Sequence, residues 1–342
     1  MNRRKFLRLY AGAMSLNASG LLAEHAVIST HPLEVESNLA SFDGPYTAIE
    51  DFYVRNHHDT PPPSAPPMLR VEGEVAKRLR LAPGDLTHIK RLQLSAVLEC
   101  AGNPVGTSAL VSNGLWEGWS LWDVIELAHP SRPAMFVHLF GRDGYARSIP
   151  IDRTRDGAML ATHLNGRRLQ PDHGAPWRAF FPGWYGMDSV KWLERIVISA
   201  SALPNADSEY VEMRPATPIG ITRGPLPRIE VKSIITFPVE RSAVHRGKVE
   251  IRGLAWSGAD TIAKVELSSD GGTNWHDVEF SPGNRYDWVL WRASVQLSQP
   301  GTVDLACRAT DAQGRTQPAQ RDAERLDGYA QNWYHRVQVL VV

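Results

Sequence analysis

Cysteine is scarce in this chain, with only Cys100 and Cys307 among 342 residues. The two lie far apart in sequence, so we expect both thiols to be free rather than joined in the one disulfide they could form. The haem-attachment motif C-x-x-C-H is absent, and so is any paired C-x-x-C that would bind zinc or an iron–sulfur cluster. A redox function would therefore need a cofactor held in another way, together with a separate electron carrier.

Net charge is also lacking, because 37 Lys and Arg balance 37 Asp and Glu. Without an excess of positive charge, the chain has no extended basic face for nucleic acid or for an anionic membrane surface. A run long and apolar enough for stable membrane insertion is missing as well. We therefore expect any basic site to be a small local cluster.

The N-terminal residues 1–26 contain Arg3-Arg4-Lys5-Phe6-Leu7, followed by a moderately apolar run that Asn17, Ser19 and Gly20 interrupt. This pattern is typical of a twin-arginine export signal, with cleavage near Ala23 or Ala26. The alternative is an ordinary basic N-terminal helix. Twin-arginine export carries folded proteins, often with a cofactor already bound, and so predicts a periplasmic location.

The rest of the chain divides into two regions of different texture. Residues 68–200 mix short strand-like runs with one helical stretch, SLWDVIELA, which predicts an α+β domain with a mixed sheet. From residue 228 onward, short alternating runs separated by Gly, Pro, Asp and Asn predict an immunoglobulin-like β-sandwich. The Gly- and Pro-rich segment 217–228 is typical of a linker. We place the first domain at 45–222 and the second at 228–342.

The cysteines differ in their surroundings. Cys307 alternates with polar residues in TVDLACRA, which predicts a small hydrophobic residue on the core face of a strand. Cys100 ends the apolar run LQLSAVLEC and is followed by Gly102-Asn103-Pro104, where glycine permits close approach of another group. Taken alone, this pattern favours a buried and inert thiol at position 100 as well.

Three other segments are rich in cations and hydrogen-bond donors and lie outside predicted helices and strand interiors. They are Arg55-Asn56-His57, the stretch from His173 to Arg178, and Ser189-Val190-Lys191. Together they could line a pocket for an anionic, phosphate-bearing ligand, although each alone is more typical of a surface charge. None matches a P-loop or a Rossmann glycine pattern, which disfavours a nucleotide.

Five motifs, in this order, resemble the sulfite oxidase family of molybdenum enzymes: FYVRNH, VLECAGN, LNGRRLQPDHGAPWR, PGWYGMDSVKW and NWYHRVQV. The resemblance covers residues 45–342. It implies a sulfite-oxidase-like mixed α/β domain that binds molybdopterin, followed by an immunoglobulin-like domain through which two copies form a homodimer.

The resemblance also implies a cofactor site. Cys100, in the C-A-G-N motif, would be the thiolate ligand to molybdenum, and a soft thiolate suits such a metal. The implied contacts to the molybdopterin are Arg55, Asn56, His57, Asp143, His173, Arg178, Ser189, Val190 and Lys191.

For substrate and catalysis, the resemblance implies Arg55, Arg336 and Tyr210, the arginines holding an oxyanion and the tyrosine bonding a reacting oxygen. Animal members of the family have C-A-G-N-R-R, whereas this chain has Pro104-Val105 after the asparagine. Loss of one charge-assisted contact weakens binding by about 1.5–3 kcal/mol, so the departure bears on the choice of substrate.

The implied function is a periplasmic oxidoreductase that oxidises sulfite or a related small sulfur oxyanion and passes electrons to a separate cytochrome c. One alternative reverses the reaction and makes the protein a reductase of sulfoxide-like substrates. Such substrates are neutral and do not need several arginines around them to bind. The other makes it the catalytic subunit of a sulfane-oxidising complex that is active only with a haem partner.

Overall fold

The structure is a computed structural model that describes residues 26–39, 42–63, 67–106, 109–132, 134–203, 210–217 and 219–342. The predicted export signal lies outside these residues except for Ala26. Within the described ranges, no helix has both the length and the apolar character needed to cross a membrane.

The first half of the described chain is built mainly from strands. Its strands and its α-helix are β1 (Val27–Thr30), β2 (Leu33–Val35), β3 (Val54–Arg55), β4 (Leu69–Gly73), β5 (Leu79–Leu81), β6 (Arg91–Glu99), β7 (Val111–Ser120), α1 (Leu121–Glu126), β8 (Phe136–Gly141), β9 (Ala146–Pro150), β10 (Met159–Leu164), β11 (Arg167–Arg168), β12 (Arg178–Phe180), β13 (Leu193–Ser199), β14 (Val211–Pro215) and β15 (Ile221–Pro225). Short 3₁₀ turns interrupt them at Ile49–Asp51, Pro83–Leu86, Ile151–Arg155, Pro171–His173 and Gly186–Asp188.

The predicted α+β class is therefore correct only in part. The helical stretch forms where predicted, with the Ser120 hydroxyl accepting a hydrogen bond from the Asp123 N–H at its N-terminus. It is only six residues long, however, because the chain turns at His129, which has a positive φ of 52°, before Pro130. Strands dominate instead.

Two five-stranded sheets form most of this half, beside the smaller sheets β1-β2-β3 and β14-β15. One has the order β11-β10-β7-β6, with β12 also paired to β10, and the other has the order β5-β4-β13-β8-β9. In the second sheet β13 runs parallel to β4 and antiparallel to β8, so it is mixed, as predicted. A core cluster joins α1 to this sheet through Leu121, Val124 and Ile125. The end of β6 then leads directly into Cys100.

The second half contains eight strands in two sheets. They are β16 (Lys232–Phe237), β17 (Ala243–Val244), β18 (Gly247–Trp256), β19 (Ile262–Ser268), β20 (His276–Asp277), β21 (Val289–Leu297), β22 (Gly301–Asp311) and β23 (His335–Val341). The sheet β16-β18-β21 packs on the sheet β17-β23-β22-β19-β20 over one shared core, which makes a β-sandwich. Cys307 lies fully buried in that core, and burial raises the pKa of its thiol to about 12. Both cysteines are free.

A buried ionic network ties the two halves together directly beside Cys100. The Glu99 carboxylate accepts hydrogen bonds from the Lys232 ammonium (2.5 Å), the Asn103 amide (2.9 Å) and the Trp256 indole (2.8 Å). Lys232 and Trp256 belong to the sandwich, whereas Glu99 and Asn103 flank the cysteine turn. Because a buried charge is tolerated only when it is paired and hydrogen-bonded, the network fixes the position of this turn against the sandwich.

Replacing Lys232 with Met should therefore lower the free energy of unfolding by about 3–5 kcal/mol, because Glu99 would stay buried without its counter-ion. The double variant Lys232→Met with Glu99→Gln should lose less than the two single variants summed, since neither buried charge then remains. Urea denaturation of all four proteins measures this coupling. Simple additivity of the two single effects would contradict the proposed energetics.

Candidate active site

A cleft of about 670 Å³, including the space at its open mouth, opens where β6 ends at Cys100. The cysteine turn is firmly held: the Cys100 N–H donates to the Leu110 carbonyl (2.9 Å), and the Asn103 N–H donates back to the Cys100 carbonyl (2.9 Å). The Asn103 side-chain oxygen also accepts from the Leu110 N–H (3.1 Å). The backbone thus sets the thiol against the cleft rather than in a core.

The protein alone does not favour a thiolate at this position. Burial raises the pKa of the Cys100 thiol, while the Arg55 guanidinium and the Gly102 N–H oppose that rise. A thiol of this kind becomes a strong ligand when a metal ion displaces its proton, and the arginine charge assists that step.

Most of the predicted site residues meet in this cleft. The structure assigns to its walls Arg55, Asn56, His57, Cys100, Asp143, Arg178, Ser189, Val190, Lys191 and Tyr210. They come from distant parts of the chain: β3, the turn after β6, the β8–β9 turn, β12 and the segment after the 3₁₀ turn at residues 186–188. The tertiary fold therefore brings together segments that are far apart in the sequence.

Two cations, the buried Arg178 and the partly buried Lys191, lie on one side of the cleft. The Lys191 ammonium donates to the Asn56 side-chain oxygen (2.6 Å) and to the Asp172 carbonyl (2.5 Å). The Arg178 guanidinium donates to the carbonyls of His173 (3.2 Å) and Ser189 (2.7 Å). Desolvation lowers the pKa of Arg178 to about 10 and that of Lys191 well below its usual value.

These cations fit an anionic group. The Arg178 Nε and the Asn56 Nδ2 are buried donors that have no hydrogen-bond partner in the structure. Buried donors are rarely left unpaired in native proteins. A phosphate-bearing ligand supplies both negative charge and acceptor oxygens. On binding in this cleft it would stabilise the charged form of the two cations and accept hydrogen bonds from the two unpaired donors.

His173 lies behind the cleft wall rather than in it. Its ring packs edge-on against Phe52 at 5.6 Å, and burial together with the Lys191 and Arg178 charges lowers its pKa to about 3. Its part in the site is its backbone carbonyl, which accepts from Arg178. The structure therefore does not place the His173 side chain in the cleft, whereas its backbone carbonyl supports Arg178.

Tyr210 lies at the cleft, as predicted. Its ring stacks on His57 at 5.4 Å, with the hydroxyl 3.3 Å from the His57 Nε2, and packs against Tyr329 at 5.3 Å. The Arg147 guanidinium lies 5.6 Å from the centre of the same ring. A tyrosine hydroxyl held in this way can donate a hydrogen bond to an oxygen beside Cys100.

The prediction for Arg336 is wrong. The residue lies on β23, where His335 and Val337 point into the sandwich core, so strand alternation turns Arg336 outward to solvent. Its guanidinium donates to the Ala319 carbonyl at 3.2 Å and belongs to no wall of the cleft. Among the residues that the structure describes, Arg336 therefore adds no charge to the cleft beside Arg55.

A different part of the sandwich, residues 326–330, approaches the site. The Ala330 N–H donates to the Ala101 carbonyl (2.8 Å), directly after the cysteine, and Tyr329 packs on Tyr210. The carboxylate of Asp327 accepts a hydrogen bond from the Met213 N–H (2.9 Å). Nothing in the local sequence distinguishes this loop from the others between strands.

Sequence reasoning also missed several neutral wall residues, namely Tyr53, Leu98, Tyr145 and Met187. Tyr53 had a detectable signal, because it stands two positions before Arg55, and residues i and i+2 of an extended segment share a face. Burial, aided by Cys100, raises its pKa well above the usual value. The Tyr145 hydroxyl donates to the Met187 carbonyl (3.0 Å), a contact that only the folded chain reveals.

Comparisons with known proteins agree with this geometry. Residues 59–206 match the family described as oxidoreductase molybdopterin binding domain, and residues 225–342 match the Mo-co oxidoreductase dimerisation domain. The chain is 30% identical over 315 residues to sulfite oxidase of Gallus gallus, covering 80% of this chain and 68% of that protein. It is 28% identical over 349 residues to the mitochondrial sulfite oxidase of Mus musculus, covering 88% of this chain and 62% of the relative.

Among solved structures, the sulfane dehydrogenase SoxCD from Paracoccus pantotrophus matches with a TM-score of 0.83 at 23% identity, covering 96% of this chain and 94% of that one. The likeness establishes the fold. The protein is an oxidoreductase that binds the molybdenum–molybdopterin cofactor. The chain belongs to the sulfite oxidase family.

Proposed function

We propose that this protein oxidises sulfite or a related small sulfur oxyanion, with the Cys100 thiolate as the protein ligand to molybdenum. The observation that supports this most strongly is that the Cys100 thiol shares one cleft with a buried arginine, a partly buried lysine and two buried donors that have no hydrogen-bond partner among the described residues. In this proposal Asn56, Arg178 and Lys191 hold the anionic end of the molybdopterin. His57, Asp143, Ser189 and Val190 complete the wall around it.

When bound, the cofactor supplies oxygen-atom transfer coupled to a two-electron change. The chain's own residues bind and orient the substrate. Arg55, which is half-buried beside Cys100, attracts an anionic substrate to that end of the cleft. The Tyr210 hydroxyl donates a hydrogen bond to an oxygen of the substrate, and stacking on His57 restrains the position of the tyrosine ring.

The overall reaction converts sulfite and water to sulfate, two protons and two electrons. The two electrons leave one at a time and reduce two molecules of a separate ferricytochrome c, since C-x-x-C-H is absent from the chain. Cytochrome c and the substrate are part of the proposal, supported by the family and by the chemistry of the cleft.

Purified, molybdenum-loaded protein should reduce cytochrome c when sulfite is added. Tyr210→Phe should lower kcat/KM with little change in metal content, because it removes one hydrogen bond to the substrate. Fully loaded protein that stays inert with sulfite would contradict the proposal in this form. Activity that returns only when a haem-containing partner is added would indicate the partner-dependent alternative.

A second candidate is a reductase of sulfoxide-like substrates, and two observations favour it. Arg336 is remote from the cleft, and the Arg55 guanidinium forms an ion pair with Glu34. A cleft with less positive charge suits a neutral substrate. Comparing sulfite oxidation with sulfoxide reduction under a reducing dye distinguishes the two directions.

We further infer export through the twin-arginine route to the periplasm, from Arg3-Arg4 in residues 1–26. The match of residues 225–342 to a dimerisation domain supports a homodimer formed through the sandwich, whose topology we take to be immunoglobulin-like. Cell fractionation and light scattering of the purified protein test these two inferences.

A further inference from the structure

The charge of Arg55 is paired within the protein. Glu34 on β2 lies directly opposite Arg55 on β3 in the antiparallel ladder, and the Arg55 guanidinium donates a hydrogen bond to the Glu34 carboxylate. The Glu34 side chain is 15% exposed and that of Arg55 35% exposed, so water screens this pair only partly. The ladder register holds both side chains on one face of the strands.

Both charges lie at one side of the cleft. Arg55 lines the cleft together with Cys100, and the Glu34 carboxylate is hydrogen-bonded to the Arg55 guanidinium. The carboxylate therefore opposes the charge that Arg55 presents to the cleft. An anion that binds beside Cys100 would be attracted by the Arg55 guanidinium and repelled by the Glu34 carboxylate. Its net attraction would be weaker than that of an unpaired guanidinium.

The other walls at this end carry little compensating charge. Tyr53, Tyr145, Leu98 and Met187 present aromatic and apolar surface. Arg178, the second arginine among the described wall residues, bonds to backbone carbonyls in the part of the cleft that suits the molybdopterin. A doubly charged ligand beside Cys100 would thus lose its hydration without a full set of charged partners.

We propose that Glu34 is a specificity-determining residue, which neutralises Arg55 and so selects sulfur compounds of low charge over doubly charged oxyanions. This narrows the proposed function from the dianion sulfite to a related oxyanion of lower charge, and it rests on the proposed function for the location of the substrate. The favoured substrate class is a singly charged sulfur oxyanion carrying an apolar substituent, which the tyrosines and Met187 can contact. Specificity here comes from disfavouring the competitor.

The test measures binding without turnover. Sulfate serves as an inert dianion, methanesulfonate as a monoanion with a methyl group, and dimethyl sulfoxide as a neutral probe, each titrated into loaded protein by calorimetry. In the wild type, methanesulfonate should bind more tightly than sulfate. Glu34→Gln should bind sulfate about tenfold more tightly, because the freed Arg55 can make one charge-assisted contact to it. The dissociation constant of dimethyl sulfoxide should not change.

Two variants make the result specific. Glu50→Gln removes the same charge from the surface ion pair with Arg167, which is not part of this cleft, and should leave sulfate binding unchanged. Glu34→Gln combined with Arg55→Gln should lose the gain, because the arginine supplies the freed contact. The KM for sulfite should fall in Glu34→Gln in parallel with the sulfate dissociation constant.

Unchanged sulfate affinity in a folded Glu34→Gln protein would overturn the inference, and so would a wild type that binds sulfate as tightly as methanesulfonate or more tightly. The second measurement needs no variant and holds even if Glu34→Gln fails to fold. Because none of these titrations requires catalysis, absence of sulfite oxidation would count against the proposed function without affecting the result for Glu34.

Discussion

Replacing Cys100 with serine should leave no measurable turnover, while part of the cofactor stays bound. A serine hydroxyl keeps its proton at neutral pH and is a harder, weaker donor than a thiolate, so the protein would lose its ligand to the metal. Binding by Asn56, Arg178 and Lys191 is unaffected by the change, which is why pterin should still be found. Metal and pterin analysis beside steady-state kinetics measures both parts.

Cys307→Ala is the matched control. Cys307 is buried in the sandwich core, away from the cleft, so the variant should keep its turnover and lose about 1 kcal/mol of stability from the small cavity. Normal activity in Cys100→Ser, or equal loss of activity in both variants, would exclude Cys100 as the metal ligand.

Replacing Lys191 with Met should lower the pterin content of the purified protein by tenfold or more. The ammonium is partly buried and hydrogen-bonded to Asn56 and Asp172, so it is already positioned for an anion, and charge-assisted hydrogen bonds to phosphate are strong. Fluorescence of the oxidised, extracted pterin measures the content. Arg70→Met, which alters an exposed ion pair with Glu194, is the control and should retain its pterin.

Lys191 should also give the cofactor-free protein a characteristic pH dependence. Its pKa is lowered in the folded chain, so between that value and about 10.5 the unfolded chain binds more protons than the folded one. Stability should therefore rise with pH in this window, by at most about 1.4 kcal/mol per unit from this group. Lys191→Met should show a shallower rise in urea denaturation, and an identical rise would mean that Lys191 is not the group responsible.

The family motifs predicted some residues of the cleft correctly and one incorrectly. The family motifs contain Arg55, Cys100 and Lys191, which line one cleft in the structure, because each stands in a segment whose local sequence is distinctive. Arg336 also stands in such a motif, yet the alternation of β23 turns it to solvent. A motif therefore predicts that a segment belongs to the family, but the strand register decides which way each side chain points.

By itself, the sequence determined the local elements of the protein. These are strand-forming runs in two regions, one short helix, one cysteine at a turn and one cysteine in a strand core. These features follow from local periodicity and turn chemistry, which neighbouring residues carry. Only the tertiary structure decided that Glu34 neutralises Arg55, that Glu99 is held by Lys232, and that Tyr329 reaches Tyr210. Such pairings join residues 21 to 133 positions apart. They depend on how the strands are placed relative to one another, which no local sequence pattern encodes.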